Sequence, residues 1–205
     1  MRILVACESS GTVRDAFRAL GHDAMSADLL PTETPGPHYE GDVLDLAGES
    51  WDLVIAHPPC TYLSNSGAGW LYKEPLRWQH MIDGAVFFRR MFEFNTTMLA
   101  VENPIQHKWA KAVHGMGSQD QIVQPWMFGH PESKATCLWL RGLPPLVATD
   151  NVRHIMDGLP AREAQRIHYL PPGPDRWRER SKTFAGLAAA MADQWSTDIR
   201  EEVAA

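Results

Sequence analysis

The stretch from Asp52 to Gly69, DLVIAHPPCTYLSNSGAG, constrains this chain more than any other. Asp52-Leu53-Val54-Ile55-Ala56 is short and apolar, the pattern of a strand buried on both faces of a sheet. His57-Pro58-Pro59 ends it, because successive prolines cannot donate to a ladder. Cys60 therefore falls on the loop at the carboxyl end of a buried strand, the edge where open α/β sheets bind ligands. The Ser/Gly-rich run Ser64 to Gly69 predicts a loop free to close over a ligand. A cysteine in such a place is either a small apolar core residue or a nucleophile. The double proline and the strand-end position favour the nucleophile, and the choice turns on which other residues reach the same edge.

The rest of the first half repeats the arrangement. Ile3-Leu4-Val5-Ala6 is an apolar run, followed by Cys7-Glu8-Ser9-Ser10-Gly11 and a helix from about Thr12 to Leu20. Val13, Ala16, Phe17 and Leu20 share one face of it, and Gly21 suits its C-terminal end. Strand, small-residue turn and helix together present backbone N–H groups to a ligand. Asp23 to Ala27 forms a second strand ending at Asp28, near the roughly 20-residue distance at which an acid takes ribose hydroxyls in nucleotide-binding sheets. Pro31 to Tyr39 holds three prolines and reads as irregular loop, ending at Gly41-Asp42. Asp42 is either a second ligand-facing acid or a helix cap. Trp78 to Phe94 is a long helix whose Met81, Ala85, Phe88, Met91 and Phe92 are core. Met98 to Val101 is a strand ending in Glu102-Asn103-Pro104.

The second half is less regular. Lys108 to Gly117 is a short helix and Ala135 to Leu140 a strand. Gly142 to Pro174 is mostly loop, with at most one short helix near Ala161 to Arg166. Arg176 to Lys182 is locally basic, and Phe184 to Ile199 closes the chain as an amphipathic helix. At 205 residues the chain suits one domain: residues 1–105 with most motifs, 106–180 a reduced substrate-side region, 181–205 a returning helix. Three widely spaced cysteines argue against a disulfide framework and for a reducing, cytoplasmic setting. No apolar run reaches the roughly 18 residues of a membrane span. A net charge of −6 disfavours a dedicated duplex-binding face, though not a local basic groove.

Taken together, the Ser/Gly turn, Asp28, Pro58-Pro59-Cys60 and Glu102-Asn103 resemble the cytosine carbon-5 DNA methyltransferase family, including small phage-encoded members. The resemblance covers residues 1–105 and resumes at Thr183-Phe184-Ala185-Gly186. It implies a Rossmann-like, S-adenosylmethionine-dependent methyltransferase fold: α/β, with a mostly parallel central sheet and helices on both faces. It implies cofactor contacts from Cys7, Ser9, Gly11, Thr12, Asp28, Asp42, Pro58 and Phe184. Cys60 would be the nucleophile and Glu102 the acid, with Pro59 and Asn103 beside them. Ser64, Lys134, Thr136 and Arg141 stand where substrate contacts would fall. DNA is the implied substrate, modified in a bacterial host cytoplasm.

The residue types suit that chemistry. Carbon 5 of cytosine is a poor nucleophile until a thiolate adds at carbon 6. An acid at ring nitrogen 3 balances the charge, so Glu102 would need its pKa raised by burial. The first turn offers Glu8-Ser9-Ser10-Gly11 where the family has aromatic-x-Gly-x-Gly, and Arg141 to Lys182 is too short for a full target-recognition domain. Two alternatives follow: a methyltransferase acting on free deoxycytidine nucleotides, with Arg176, Arg178, Arg180 and Lys182 holding phosphate, or a degenerate binding or regulatory module. A homodimer or partner subunit could supply the missing recognition. Amine-methylating enzymes carry an aromatic after the prolines, and this chain has Cys60. Zinc deaminases need a second cysteine three positions on, and this chain has Leu63 there. Paired ligands for a structural metal are also missing.

Overall fold

The computed structural model describes residues 1–203, with side chains described through Ser196. Seven strands form one sheet in the order β3-β2-β1-β4-β5-β7-β6. The strands are β1 (Arg2–Ala6), β2 (Asp23–Asp28), β3 (His38–Glu40), β4 (Leu53–Ala56), β5 (Met98–Pro104), β6 (Gln121–Val123) and β7 (Thr136–Arg141). β1 through β5 run parallel, and β7 pairs antiparallel with both β5 and β6. The first five follow the doubly wound 3-2-1-4-5 order, whose direction of winding reverses between β1 and β4. This is a Rossmann-like α/β fold. β3 and β6 are short edge strands, and β3 begins inside the stretch that the sequence predicts as loop.

The central strands are continuous hydrophobic runs because helices cover both faces. Every residue of Ile3–Ala6 and Leu53–Ala56 is 0% exposed. Leu4, Ala6, Val54 and Ala56 point into a cluster with Met81, Ala85 and Phe88 of α2 (Arg77–Arg90) and Ala110 of α3 (Lys108–His114). Ile3, Val5, Leu53 and Ile55 point the other way, onto Val13 and Phe17 of α1 (Thr12–Ala19) and Leu187, Met191 and Trp195 of α7 (Ala185–Val203). Alternate residues thus serve opposite cores, as pleating requires. Each fully buried large side chain stabilises by about 1.5–3 kcal/mol. The remaining helices, α4 (Arg153–Asp157), α5 (Ala161–Ala164) and α6 (Arg176–Ser181), are short. Among the described residues no helix is long and apolar enough to cross a membrane, and all three cysteines are free.

Four expectations change. The helix after residue 76 begins at Arg77 and ends at Arg90, passing into a 3-10 turn over Met91–Glu93. The 142–174 region holds two short helices, Arg153–Asp157 and Ala161–Ala164, rather than one at most. Leu20 is 45% exposed, and Arg14 is fully buried in its stead. Its guanidinium donates to Asp15, Ser26, Thr32 and Thr34, so nearly every N–H is matched and burial is tolerable. The Ser64–Gly69 stretch is not a free loop. Asn65–Tyr72 is a 3-10 helix, and the amides of Leu63 and Ser64 both donate to the Cys60 carbonyl at 3.0 Å.

Candidate active site

Chain reversal of the winding order leaves a crevice at the carboxyl ends of β1 and β4. The His57 amide donates to the Ala6 carbonyl at 2.9 Å, so the segment leaving β4 crosses the end of β1. Cys7, the first residue past β1, has φ 60, a left-handed conformation that costs a non-glycine residue on the order of 1 kcal/mol. Burial pushes its thiol well up, and the nearby charges of Asp28 and Asp42 push it further. Both acids therefore converge on the end of β1. Each also has a local duty: Asp28 Oδ1 accepts from Leu30 N–H at 2.9 Å, and Asp42 Oδ1 from Leu44 N–H at 3.0 Å. Asp42 is thus the cap of a 3-10 turn and keeps its second oxygen for other partners.

The first turn is built around Glu8. Its carboxylate, 5% exposed, accepts from the amides of Val13 and Arg14 and from the Ser10 hydroxyl. An acid inside the turn thus caps α1 in place of a second glycine. Gly11 has φ +74, a conformation that side chains rarely adopt, and a Cβ there would lie 2.3 Å from Thr34 Oγ1, so any substitution is strained. Thr12 Oγ1 accepts from Ser10. Among the described residues the amides of Ser9, Ser10 and Gly11 have no hydrogen-bond acceptor. Free amides in a tight turn, with two acids at the neighbouring strand ends, fit a nucleoside cofactor with a charged tail.

Cys60 and Glu102 lie at the same edge of the sheet. β4 and β5 are parallel neighbours in register from Leu53–Met98 to Ala56–Val101, so Glu102 emerges level with His57. His57 Nδ1 lies 3.2 Å from Glu102 Oε2, with the two side chains 9% and 16% exposed. Burial alone would raise the Glu102 carboxyl. The His57 imidazole, the Lys134 charge and a Thr136 hydrogen bond outweigh it and hold the group below its ordinary value. The expectation that burial keeps Glu102 protonated is therefore overturned for this state: hydrogen bonds to the charged form beat desolvation. An ionised carboxylate only accepts, so His57 Nδ1 carries the hydrogen. The Cys60 thiol shifts the other way. Burial and then the Glu102 charge raise it, and Lys134 and Arg180 offset part of the rise. The resting pair is thiol and carboxylate.

The loop carrying Cys60 is anchored by a buried polar chain. Asn103 Nδ2 donates to the Pro58 carbonyl at 2.8 Å, Gln106 Nε2 to Asn103 Oδ1 at 3.1 Å, and His114 Nε2 to Gln106 Oε1 at 2.8 Å. His114 Nδ1 in turn accepts from Met116 N–H, which fixes the tautomer. His107 Nε2 meets the Tyr62 carbonyl at 3.0 Å from the side. Asn103 is 1% exposed and works on the loop itself, while Pro59 is exposed beside Cys60. Sequence reasoning took His57 only as the end of the strand and passed over Gln106 and His114. The signal for them was polar residues persisting past a strand that prolines should end.

Thr136, 5% exposed, opens β7 opposite Pro104, and Lys134 precedes it. Lys134 stands near Glu102 and Cys60, donates to the Lys182 carbonyl at 3.1 Å, and lies 5.8 Å from the Phe184 ring centre. Phe184 also packs on His130 at 5.1 Å, on the lysine side of the crevice. The same segment reaches the first turn: Arg178 and Lys182 pair with Glu33, whose amide donates to the Ser9 carbonyl. Gly186 permits this return, since a Cβ there would lie 1.9 Å from the Phe128 carbonyl oxygen. Ser64 lies at the loop base, bridged to Gln106 and 3.2 Å from the Ser66 hydroxyl. Arg141 is a correction. β7 runs antiparallel, so Arg141 pairs with Leu99 at the opposite edge. There its guanidinium donates to the Phe92, Phe94 and Thr96 carbonyls. Chain order alone carries no strand direction, and the reversal moves it out of the site.

No family model matches this chain, and no curated protein does. Similar solved structures include a protein encoded within an Escherichia coli prophage and assigned as a DNA modification methyltransferase, 17% identical, with a TM-score of 0.43 over 67% of this chain and 45% of that one. The Entamoeba histolytica methyltransferase EhMeth is 14% identical, with a TM-score of 0.41 over 69% of this chain and 53% of its own. This chain spans about half the length of each.

Proposed function

We propose that the protein is an S-adenosylmethionine-dependent methyltransferase acting on carbon 5 of cytosine in DNA, with little sequence specificity. The observation that carries this reading is that Cys60 and Glu102 follow neighbouring parallel strands to one sheet edge, close enough for the Glu102 charge to raise the Cys60 thiol, beside the winding reversal. Ser9, Gly11, Thr12, Asp28, Asp42 and Pro58 would hold the cofactor, with Cys7 at the floor of its site. The cofactor supplies an electrophilic methyl group.

The protons then balance within the site. Resting thiol plus carboxylate holds the same number of protons as thiolate plus carboxylic acid. The Cys60 proton passes to Glu102, and from Glu102 to ring nitrogen 3, as the sulfur–carbon 6 bond forms. Carbon 5 becomes the nucleophile. After methyl transfer a base takes the carbon-5 proton; the Cys60 sulfur then leaves carbon 6 as ring nitrogen 3 returns its proton through Glu102 to the sulfur, which restores the aromatic ring and the resting thiol and carboxylate. Lys134 compensates negative charge between sulfur and carboxylate, while His57 orients Glu102 and Asn103 fixes the loop. Free deoxycytidine monophosphate is the second reading. It is favoured by Arg180, which is close enough to lower the Cys60 pKa and could hold a phosphate there.

The test is methyl transfer from labelled cofactor to a cytosine oligonucleotide, to duplex DNA and to the monophosphate. We expect activity on oligonucleotide, none in Cys60→Ser, and a covalent adduct with 5-fluorocytosine. Full activity in Cys60→Ser would end the mechanism, and reaction of the monophosphate alone would move the substrate to the nucleotide.

A further inference from the structure

The segment that follows Cys60 presents aromatic rings to solvent. Trp70 is 49% exposed and Tyr72 71%, with Trp109 of α3 at 38%. Proteins rarely leave such rings outside together without a partner. Tyr72, Trp78 and Trp109 form a connected set: Tyr72 meets Trp78 edge-on at 5.8 Å, and Trp78 meets Trp109 at 5.8 Å. Cations lie over them, with the Lys73 ammonium 4.9 Å from the Trp70 ring centre and Lys108 4.7 Å from Trp109. The support is ordered. The amides of Lys73 and Glu74 donate to the Trp70 carbonyl, and Leu63 and Ser64 tie the segment to Cys60.

We infer that this face, on the segment that follows the reactive cysteine, is a stacking platform for single-stranded DNA. The inference rests on the reading of the site as one that modifies DNA, and it names the form of DNA. Bases stack on aromatic rings whatever their identity, and phosphates take the cations between them. Charge selects this occupant. Residues 70–78 and α3 carry four cations, Lys73, Arg77, Lys108 and Lys111, and one carboxylate, Glu74, which pairs with Arg77, on a chain whose net charge is −6. A second copy of the same face would bring like charges together, whereas a polyanion is attracted. A duplex keeps its bases stacked on one another, so exposed rings gain nothing from it. A platform of this kind holds polymer without a target-recognition domain and without reading sequence.

The probe is a fluorescein-labelled oligothymidylate about 12 nucleotides long, within the usual single-strand site size. It contains no cytosine, so its binding is independent of the methylation chemistry. We expect Trp70→Ala/Tyr72→Ala to weaken binding at least tenfold, since each stacked base contributes about 1–3 kcal/mol. The off-patch control Tyr169→Ala should bind as the parent does. An abasic strand of equal length, and a duplex, should each bind at least tenfold more weakly. Equal binding of the abasic strand, or an unchanged double variant of native melting temperature, overturns the platform. So does a concentration-dependent dimer that the double variant dissolves without loss of oligonucleotide binding, which would make the face a contact between copies. Oligothymidylate bound through these rings with no methyl transfer to any cytosine substrate would instead refute the catalytic reading and leave the platform standing.

Discussion

At the scale of single residues, His57 decides the protonation of the site. Its imidazole is the strongest influence lowering the Glu102 carboxyl against burial. The Nε2 atom is buried without a partner among the described residues, so His57 has one firm contact and its purpose is the glutamate. Because Glu102 must be ionised to take the thiol proton, activity is lost on the acid side as pH falls through its depressed pKa. His57→Ala removes the support and moves that pKa upward. We expect the acid limb of the pH–rate profile to shift to higher pH, with kcat reduced about 10²-fold. A limb that stays in place would show that His57 does not set Glu102.

At the scale of elements, the chain from Pro58 through Asn103 and Gln106 to His114 joins the β4 loop, β5 and α3. Burial, and then Lys111, lowers the His114 pKa from 6.5 to about 4. Above pH 6.5 the imidazole is neutral in folded and unfolded protein alike. Between 6.5 and 4 the unfolded chain binds more protons, so stability falls with falling pH. At about 1.4 kcal/mol per pKa unit the loss is on the order of 3 kcal/mol at most. Denaturant melts across that range should show it, and His114→Asn, neutral throughout, should flatten the slope while being less stable overall. An unchanged slope would mean that other groups carry the acid sensitivity.

At the scale of the molecule, the two edges of the sheet divide the work. The carboxyl edge gathers Cys60, Glu102, His57, Lys134 and Thr136, and the amino edge holds Arg141 across the turn into β5. Arg141→Ala should lower stability by about 1–3 kcal/mol, through unsatisfied carbonyls, and leave KM unchanged. Lys134→Met should do the reverse in emphasis, lowering kcat/KM about tenfold or more while the melting temperature moves little. A KM effect from Arg141→Ala would restore it to the site.

The sequence by itself determined the doubly wound core. Unbroken apolar runs such as Ile3–Ala6 and Leu53–Ala56 must be buried on both faces, and Pro58-Pro59 force the chain out of the sheet at one edge soon after Ala56, whereas β5 runs on through Pro104. It also determined which residue types arrive there, because Asp28, Cys60 and Glu102 follow parallel strands whose ends coincide. Only the tertiary structure decided the direction of β7, which keeps Thr136 and removes Arg141, since an antiparallel turn leaves no periodic mark on the strand it reverses. Only it decided the charge on Glu102, which is a balance between burial and three neighbours distant in the chain. Only it set Arg14 inside and Trp70 and Tyr72 outside, because burial depends on what packs opposite, and local composition does not contain the opposing surface.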